Sequence, residues 1–582
     1  MGFIQPNLPV VDPVDWSART RAERIIPMAR HIAENGFGTP LVMHLMYGVK
    51  IALYILGGWL FAWTTRGIGG FIDVGSWWSE PIVFQKAVLY TMLFEVVGLG
   101  CCFGPLAGRY FPPMGSILYW LRPGTIRLPP WPNRVPLTKG NDRTAVDALL
   151  YGALLALLVT ALVSDGTGPI PALGTMIGVL PRWETVAVLA VLAAISLRDK
   201  VIFLAARGEV YGPLALVFLF SGADIVVGAK VVFMVIWLGA ATSKLTRHFP
   251  FVISTMLANN PFIPSGILKR SLFKDYPDDL RPSALSGIIA HFSTAVEGLV
   301  PLVLFFSHGG WPTAIAAFVM IVFHLNILLA FPMGVPLEWN VFMIFGVLSL
   351  FVAHANLGLA NVTHPWAIAI LFAVIAGTVI IGNLYPRKVS FLPGMRYYAG
   401  NWDTTLWCVK PSADEKFRVG SRALGPMQHL QLERLYGSRE ATLVPLHLAM
   451  AFRGMNTHGR GLFTLAHRAM AGCDEGEYNL CEGEILCAMV LGWNFGDGHL
   501  HNECLVEALQ QRCGFDPGEV RVVILDAQPI HRQRQEYRLV DAATGEFERG
   551  YINVDDMVIT QPWADDLPVH VQSAAGAGVS DP

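Results

Sequence analysis

Apolar runs about as long as a bilayer is thick recur through the first two thirds of this chain, and no other feature restricts its fold so strongly. A helix needs ~20 predominantly apolar residues to cross the hydrocarbon core. Such runs fall at 41–63, 84–107, 146–163, 185–206, 283–306, 312–331, 339–357 and 366–385. The stretch VYGPLALVFLFSGADIVVGAKVVFMVIWLGAATSKL, 210–245, is too long for one helix and short for two. Its break at Ser221-Gly222-Ala223-Asp224 leaves two short or tilted helices, or a re-entrant hairpin followed by a span. In lipid every backbone polar group must be bonded within the protein, so runs of this kind become helices. Charged residues make up only 15% of the 582, against about 25% in soluble domains. The formal net charge of -2 gives no polyelectrolyte footprint, so no nucleic acid partner is expected. The expected fold class is an α-helical polytopic membrane protein of about eight to ten transmembrane helices, with a C-terminal α+β cytoplasmic domain.

Loop charges orient the chain. Segments 1–40, 108–145 and 246–282 are rich in Arg and Lys, as is the stretch holding Arg387, Lys388 and Arg396; 164–184, 307–311 and 358–364 hold almost none. Basic loops stay in the cytoplasm, so both termini are expected there. The start, MGFIQPNLPVVDPVDW, lacks the basic and apolar regions of a cleavable signal. In 1–40, Arg19, Arg21, Arg24 and Arg30 alternate with Ile25, Ile26 and Met28, which suits an amphipathic helix in the headgroup region. The loop 108–145 carries too many prolines for a continuous helix and reads as an interfacial cover.

The span-rich region 41–385 gives way to ordinary composition over 386–570, and 571–582 reads as a disordered tail. In the soluble part, EGEILCAMVLGWNFGDGHLHNECLVEALQQRCG suggests a strand, a glycine loop and a helix. Asp497, His499, His501 and Glu503 alternate there; on a strand they share a face and could hold a metal, unless Leu500 packs inward and leaves them in solvent. The eight cysteines form no CxxC, so no disulfide framework, zinc ribbon or other metal is expected.

Polar residues inside the apolar runs are the functional signal. A charged group at mid-bilayer costs about 2.5–3.5 kcal/mol on insertion scales, so it finds a partner or serves a function. Glu95, Asp224, Lys230, His291, Glu297, His324 and His354 lie within runs, and Lys244 and Glu338 near helix ends. Any one of them could be a bond between helices. Their concentration from 224 to 338 points to an internal polar cavity, with Lys244, His291 and His324 as catalytic candidates and Asn326, Glu297, Asp224, Lys230 and Trp237 as binding candidates. His291 and Glu297 are six residues apart, about 600° around a helix, and so face different neighbours. Lys244 closes LGAATSKL, where a lysine also commonly snorkels to the interface.

Three segments in order carry a resemblance: GAKVVFMVIWLGAATSKLTRHFPFVIS, SGIIAHFSTAVEGLVPLVLFFS and FHLNILLAFPMGVPLEWNVFMI. Over roughly 145–360 they resemble helices of the vitamin K-dependent gamma-carboxylase superfamily. The chain is also similar to a family of actinobacterial multi-pass proteins of about this length, which implies a bacterial plasma membrane. The carboxylase resemblance implies that Lys244 is the base that deprotonates a quinone-like cofactor, with His291 and His324 lining its pocket. Departures are plain. Trp237 to Lys244 is one residue longer than the family spacing, Arg247-His248-Phe249-Pro250 replaces a Trp-Gly continuation, NDRTAVDALLYG lacks an expected histidine, and nothing after 385 resembles the family's large β-rich domain. Two readings compete: an enzyme acting on a quinone or lipid, and a non-catalytic lipid-binding scaffold with protein partners on its cytoplasmic domain. A transporter would show paired broken helices, and only the one near Ser221 is visible.

Overall fold

The computed structural model describes residues 2–100, 115–132, 134–263, 266–330, 337–390, 393, 395–471, 475–493 and 498–574. After helix α1 (Arg21–Asn35) come α2 (Leu41–Trp63), α3 (Pro81–Val96), α4 (Ala145–Val163), α5 (Arg182–Arg198), α6 (Gly208–Val217), α7 (Ala223–Ser243), α8 (Phe249–Asn259), α9 (Ala284–Phe306), α10 (Gly310–Ala330), α11 (Leu337–Gly346) and α12 (Pro365–Leu384). Six of these, α2, α4, α7, α9, α10 and α12, are long and apolar enough to cross a membrane. On α2, Leu45, Val49, Leu53, Leu56 and Leu60 are exposed at helical spacing, an apolar stripe suited to lipid. α7 is buried along nearly its whole length and forms the centre of the bundle, against α6, α9 and α12.

The remaining expected spans are shorter than the sequence suggested. The run 84–107 yields α3, which stops before the left-handed Gly98; its part beyond 100 lies outside the described residues. The run 185–206 is interrupted at Asp199, whose carboxylate caps a new short helix from Lys200. The 210–245 stretch resolves as a short helix and a full one, α6 and α7, with Gly222 at φ 54 between them. The 339–357 run forms α11, which continues as a π-helical stretch, Val347–Ala353.

Beyond the bundle, six antiparallel strands form one sheet in the order β4-β3-β5-β6-β7-β8, after a small hairpin of β1 (Phe273–Asp275) and β2 (Asp279–Pro282). The sheet strands are β3 (Thr404–Val409), β4 (Asn479–Glu482), β5 (Val520–Leu525), β6 (Arg534–Asp541), β7 (Gly545–Asn553) and β8 (His570–Ala574). Helices α13 (Arg439–Met455), α14 (Thr457–Ala469) and α15 (Gly483–Val490) lead to α16 (Glu503–Cys513). The domain is thus α+β, as its alternating pattern indicated.

The sheet domain and the bundle are joined by protein contacts the sequence did not disclose. α1 opens with a reciprocal Thr20–Glu23 cap and lays Ile25, Met28 and Ile32 against α8 and α13. Its apolar face is therefore covered by protein, not by lipid headgroups. The proline-rich loop is also docked: Tyr119 donates to the Val490 carbonyl at 2.6 Å and the Trp120 indole to that of Leu491 at 2.8 Å. Its segment 108–114 lies outside the described residues.

Candidate functional site

Four expected site residues meet at the end of α7. Lys244 caps that helix and forms an ion pair with Glu297 of α9; their side chains are only 4% and 6% exposed. The ammonium also lies 5.1 Å from the Phe249 ring centre and 5.6 Å from that of Phe323. Beside the pair, the Trp237 indole donates to His324 Nε2 at 3.1 Å. An indole can only donate, so Nε2 is the bare nitrogen, and the other, Nδ1, donates to Asn340 Oδ1 at 2.9 Å. His324 is therefore a neutral imidazole with one tautomer fixed by its neighbours. These groups, with Met395 and Tyr398, border a cavity of about 30 Å³, enough for a water or two.

The other four candidates lie elsewhere. His291 and Asn326 are exposed, because their helices turn those positions away from the α7 contact. Asp224 and Lys230 do belong to α7 but to its opposite end, ~30 and ~20 Å from Lys244 at 1.5 Å per residue. Asp224 accepts from the Thr363 and His364 backbone N–H groups at 2.7 and 3.0 Å. Lys230 donates to the His354 and Leu357 carbonyls at 2.8 and 2.6 Å. Both tie α7 to the connection preceding α12. The expectation of one cavity holding all eight residues is corrected to a compact centre and a separate end clamp.

A third buried polar group joins residues the sequence singled out to two it did not. Lys50 lies 2.9 Å from Glu338, and Arg207 Nε lies 3.0 Å from Glu95, with both carboxylates fully buried. Arg207 holds a left-handed backbone, φ 46, at the start of α6, and its guanidinium sits over Trp339. Lys50 was legible in principle: a lone cation in an apolar run demands a carboxylate partner.

An apolar cavity of about 400 Å³ lies between α2, α3 and α11. Its walls include Tyr54, Trp59, Trp77, Tyr90, Phe342 and Phe345, and among the described residues no charged side chain borders it. None of these was a site candidate, since aromatic residues in a span read first as packing.

In the sheet domain, Gly498–His501 is helical rather than extended, so the expected alternation does not put its side chains on one face. His501 bonds to Thr405 at 2.9 Å, His499 to the Pro386 carbonyl at 3.1 Å, and Glu503 pairs with Arg538; Asp497 lies outside the described residues. Among the described residues no group of His, Cys, Asp and Glu could hold a metal ion. Buried histidines do mark the junction. His248 donates from Nε2 to Gln528 Oε1 at 2.8 Å and accepts from Thr457 at Nδ1, and burial lowers its pKa to about 4. Burial, reinforced by Arg453, holds His458 well below the ordinary histidine value.

A family profile described as "Transmembrane protein of unknown function (DUF3556)" matches residues 1–572. The chain belongs to this family. Its match runs through the bundle and the sheet domain alike, so the two form one family unit. No curated protein and no solved structure matches the chain.

Proposed function

We propose that this DUF3556 protein holds a lipophilic molecule, a quinone or another lipid, within the membrane. The observation that carries this reading is the aromatic cavity of about 400 Å³ between α2, α3 and α11. Small-molecule sites span roughly 300–1,000 Å³ and are mostly apolar, and one wall of this one is α2, a helix long and apolar enough to cross a membrane.

The carboxylase-like reading, with Lys244 as base, has weaker support. A base needs a neutral amine with a free lone pair, whereas Lys244 is held as the cation of an ion pair with Glu297. The space beside it suits water, not a quinone ring. The lipid-binding reading is therefore favoured over catalysis at Lys244. Loop charges support cytoplasmic termini, where the sheet domain would meet any protein partners, and the resemblance to actinobacterial multi-pass proteins supports a bacterial plasma membrane.

The test is mass spectrometry of lipophilic molecules released from purified protein, comparing wild type with Ala87→Phe, which fills the cavity, and with Lys244→Ala. A stoichiometric compound lost in Ala87→Phe is the expected result. Identical bulk membrane lipid from all three would overturn the reading.

A further inference from the structure

We propose that the aromatic cavity takes a neutral lipophile bearing an acceptor oxygen, a carbonyl, ester or ether, that bonds to the Tyr90 hydroxyl. This rests on the lipophile-binding reading above and assigns the chemistry of its polar end. The wall is apolar apart from a few hydroxyl and indole groups, and most of these are already engaged. Tyr54 bonds to Thr91 at 2.5 Å, the Trp59 indole donates to the Phe71 carbonyl at 2.9 Å, and the Trp77 indole to that of Gly70 at 3.1 Å.

Tyr90 differs. The residue is 9% exposed, it lines the cavity, and its hydroxyl has no hydrogen-bond partner among the described residues. Its ring lies across Gly57 and Gly58, and a side chain at Gly57 would collide with the hydroxyl. A tyrosine hydroxyl out of water normally finds a partner. Water is a poor one here, because a buried water needs two to four polar neighbours, and this wall is almost entirely apolar. A ligand oxygen meets the need with one bond. Ionised heads are excluded by the same wall, since among the described residues no charged side chain borders the cavity to pair with them.

The experiment uses full-length protein in lipid nanodiscs and two probes that differ by one oxygen, decanophenone and decylbenzene. Saturable binding is measured for wild type, Tyr90→Phe and Ala87→Phe. Wild type is expected to bind the ketone more tightly than the hydrocarbon. Tyr90→Phe should weaken ketone binding about three- to tenfold, the equivalent of one hydrogen bond, and leave decylbenzene unchanged. Ala87→Phe should weaken both. Equal ketone affinity in wild type and Tyr90→Phe, with both probes still displaced by Ala87→Phe, would overturn the Tyr90 assignment while leaving the cavity as a lipophile site. Absence of saturable binding of either probe to wild type would overturn both.

Discussion

Replacing Lys244 by methionine separates a structural ion pair from a working base. The substitution leaves the Glu297 carboxylate buried beside an apolar side chain, at a site where both partners are about 95% covered. Removing one member of a buried pair costs about 3–5 kcal/mol, whereas replacing both with apolar groups of similar volume ranges from neutral to stabilising. Methionine suits the position, because the Phe249 and Phe323 rings that face the ammonium also pack well against a thioether. Three variants complete a cycle: Lys244→Met, Glu297→Met and the double. Each single is expected to lose about 3–5 kcal/mol and the double to recover most of it. Chains longer than ~250 residues move by no more than about 2–4 °C per kcal/mol, so the singles should melt on the order of 5–10 °C lower in detergent. Singles that melt with wild type, or losses that simply add in the double, would refute the pairing argument. The first of those outcomes would return Lys244 to the role of an unencumbered base.

His324→Phe leaves the buried Trp237 indole without its acceptor, at about 1–3 kcal/mol, removes the bond to Asn340, and should lower the melting temperature more than His324→Gln, which keeps a polar group there; equal effects would refute the hydrogen-bonding role of His324. Acid should loosen the junction of bundle and sheet domain. Burial depresses the pKa of His248 to about 4, of His447, His499 and His501 to about 3, and of His458 well below its usual value. Each stays neutral when folded, while its unfolded counterpart takes a proton as the pH falls below ~6.5; His248 alone therefore loses about 3 kcal/mol of stabilisation by pH 4. Glu484, raised to about 7 by burial, slopes the opposite way over pH 7 to 4.5 and offsets only one of the five. Amide protection factors around Thr457 and Gln528, corrected for the intrinsic exchange rate at each pH, should fall between pH 6.5 and 4 and fall less in His248→Gln; an unchanged protection factor would refute the histidine account.

What could be read from the sequence follows from what is local. Apolar length identified the long helices, because crossing lipid is a property of one segment. The alternation in VRVVILDAQPIHRQRQEYRLVDAATGEFERGYINVDD gave β5, β6 and β7 with their tight turn, for the same reason. Trp237, Lys244, Glu297 and His324 lie together because polar groups in or beside apolar runs are satisfied by one another. Partner identity was not local. Asn340, which the sequence did not single out, bonds to His324, because the meeting of α10 with α11 depends on the crossing of two helices. The face of α1 looked lipid-bound because headgroups and a buried protein surface select the same alternation of basic and apolar residues.

Helix α11 links the two cavities, and its spacing explains how. Trp339, Asn340 and Met343 border the Lys244 centre, while Val341, Phe342, Ile344, Phe345 and Leu348 border the aromatic cavity. One short helix therefore presents opposite faces to a polar lock and to a lipophile site, and its π-helical continuation gives it a stretch where register can shift without breaking the chain. A ligand that shifts α11 at Phe345 would carry Asn340, five residues away on the same helix, with it. Substitutions on the two faces should accordingly fail to add: Asn340→Ala with Phe345→Ala is expected to show a coupling of at least 0.5 kcal/mol or so, although the two side chains line different cavities. Stability of the two singles and the double, measured by unfolding in mixed micelles, reads this directly. Additivity within about 0.3 kcal/mol would mean that α11 is a rigid partition and that the cavities act independently.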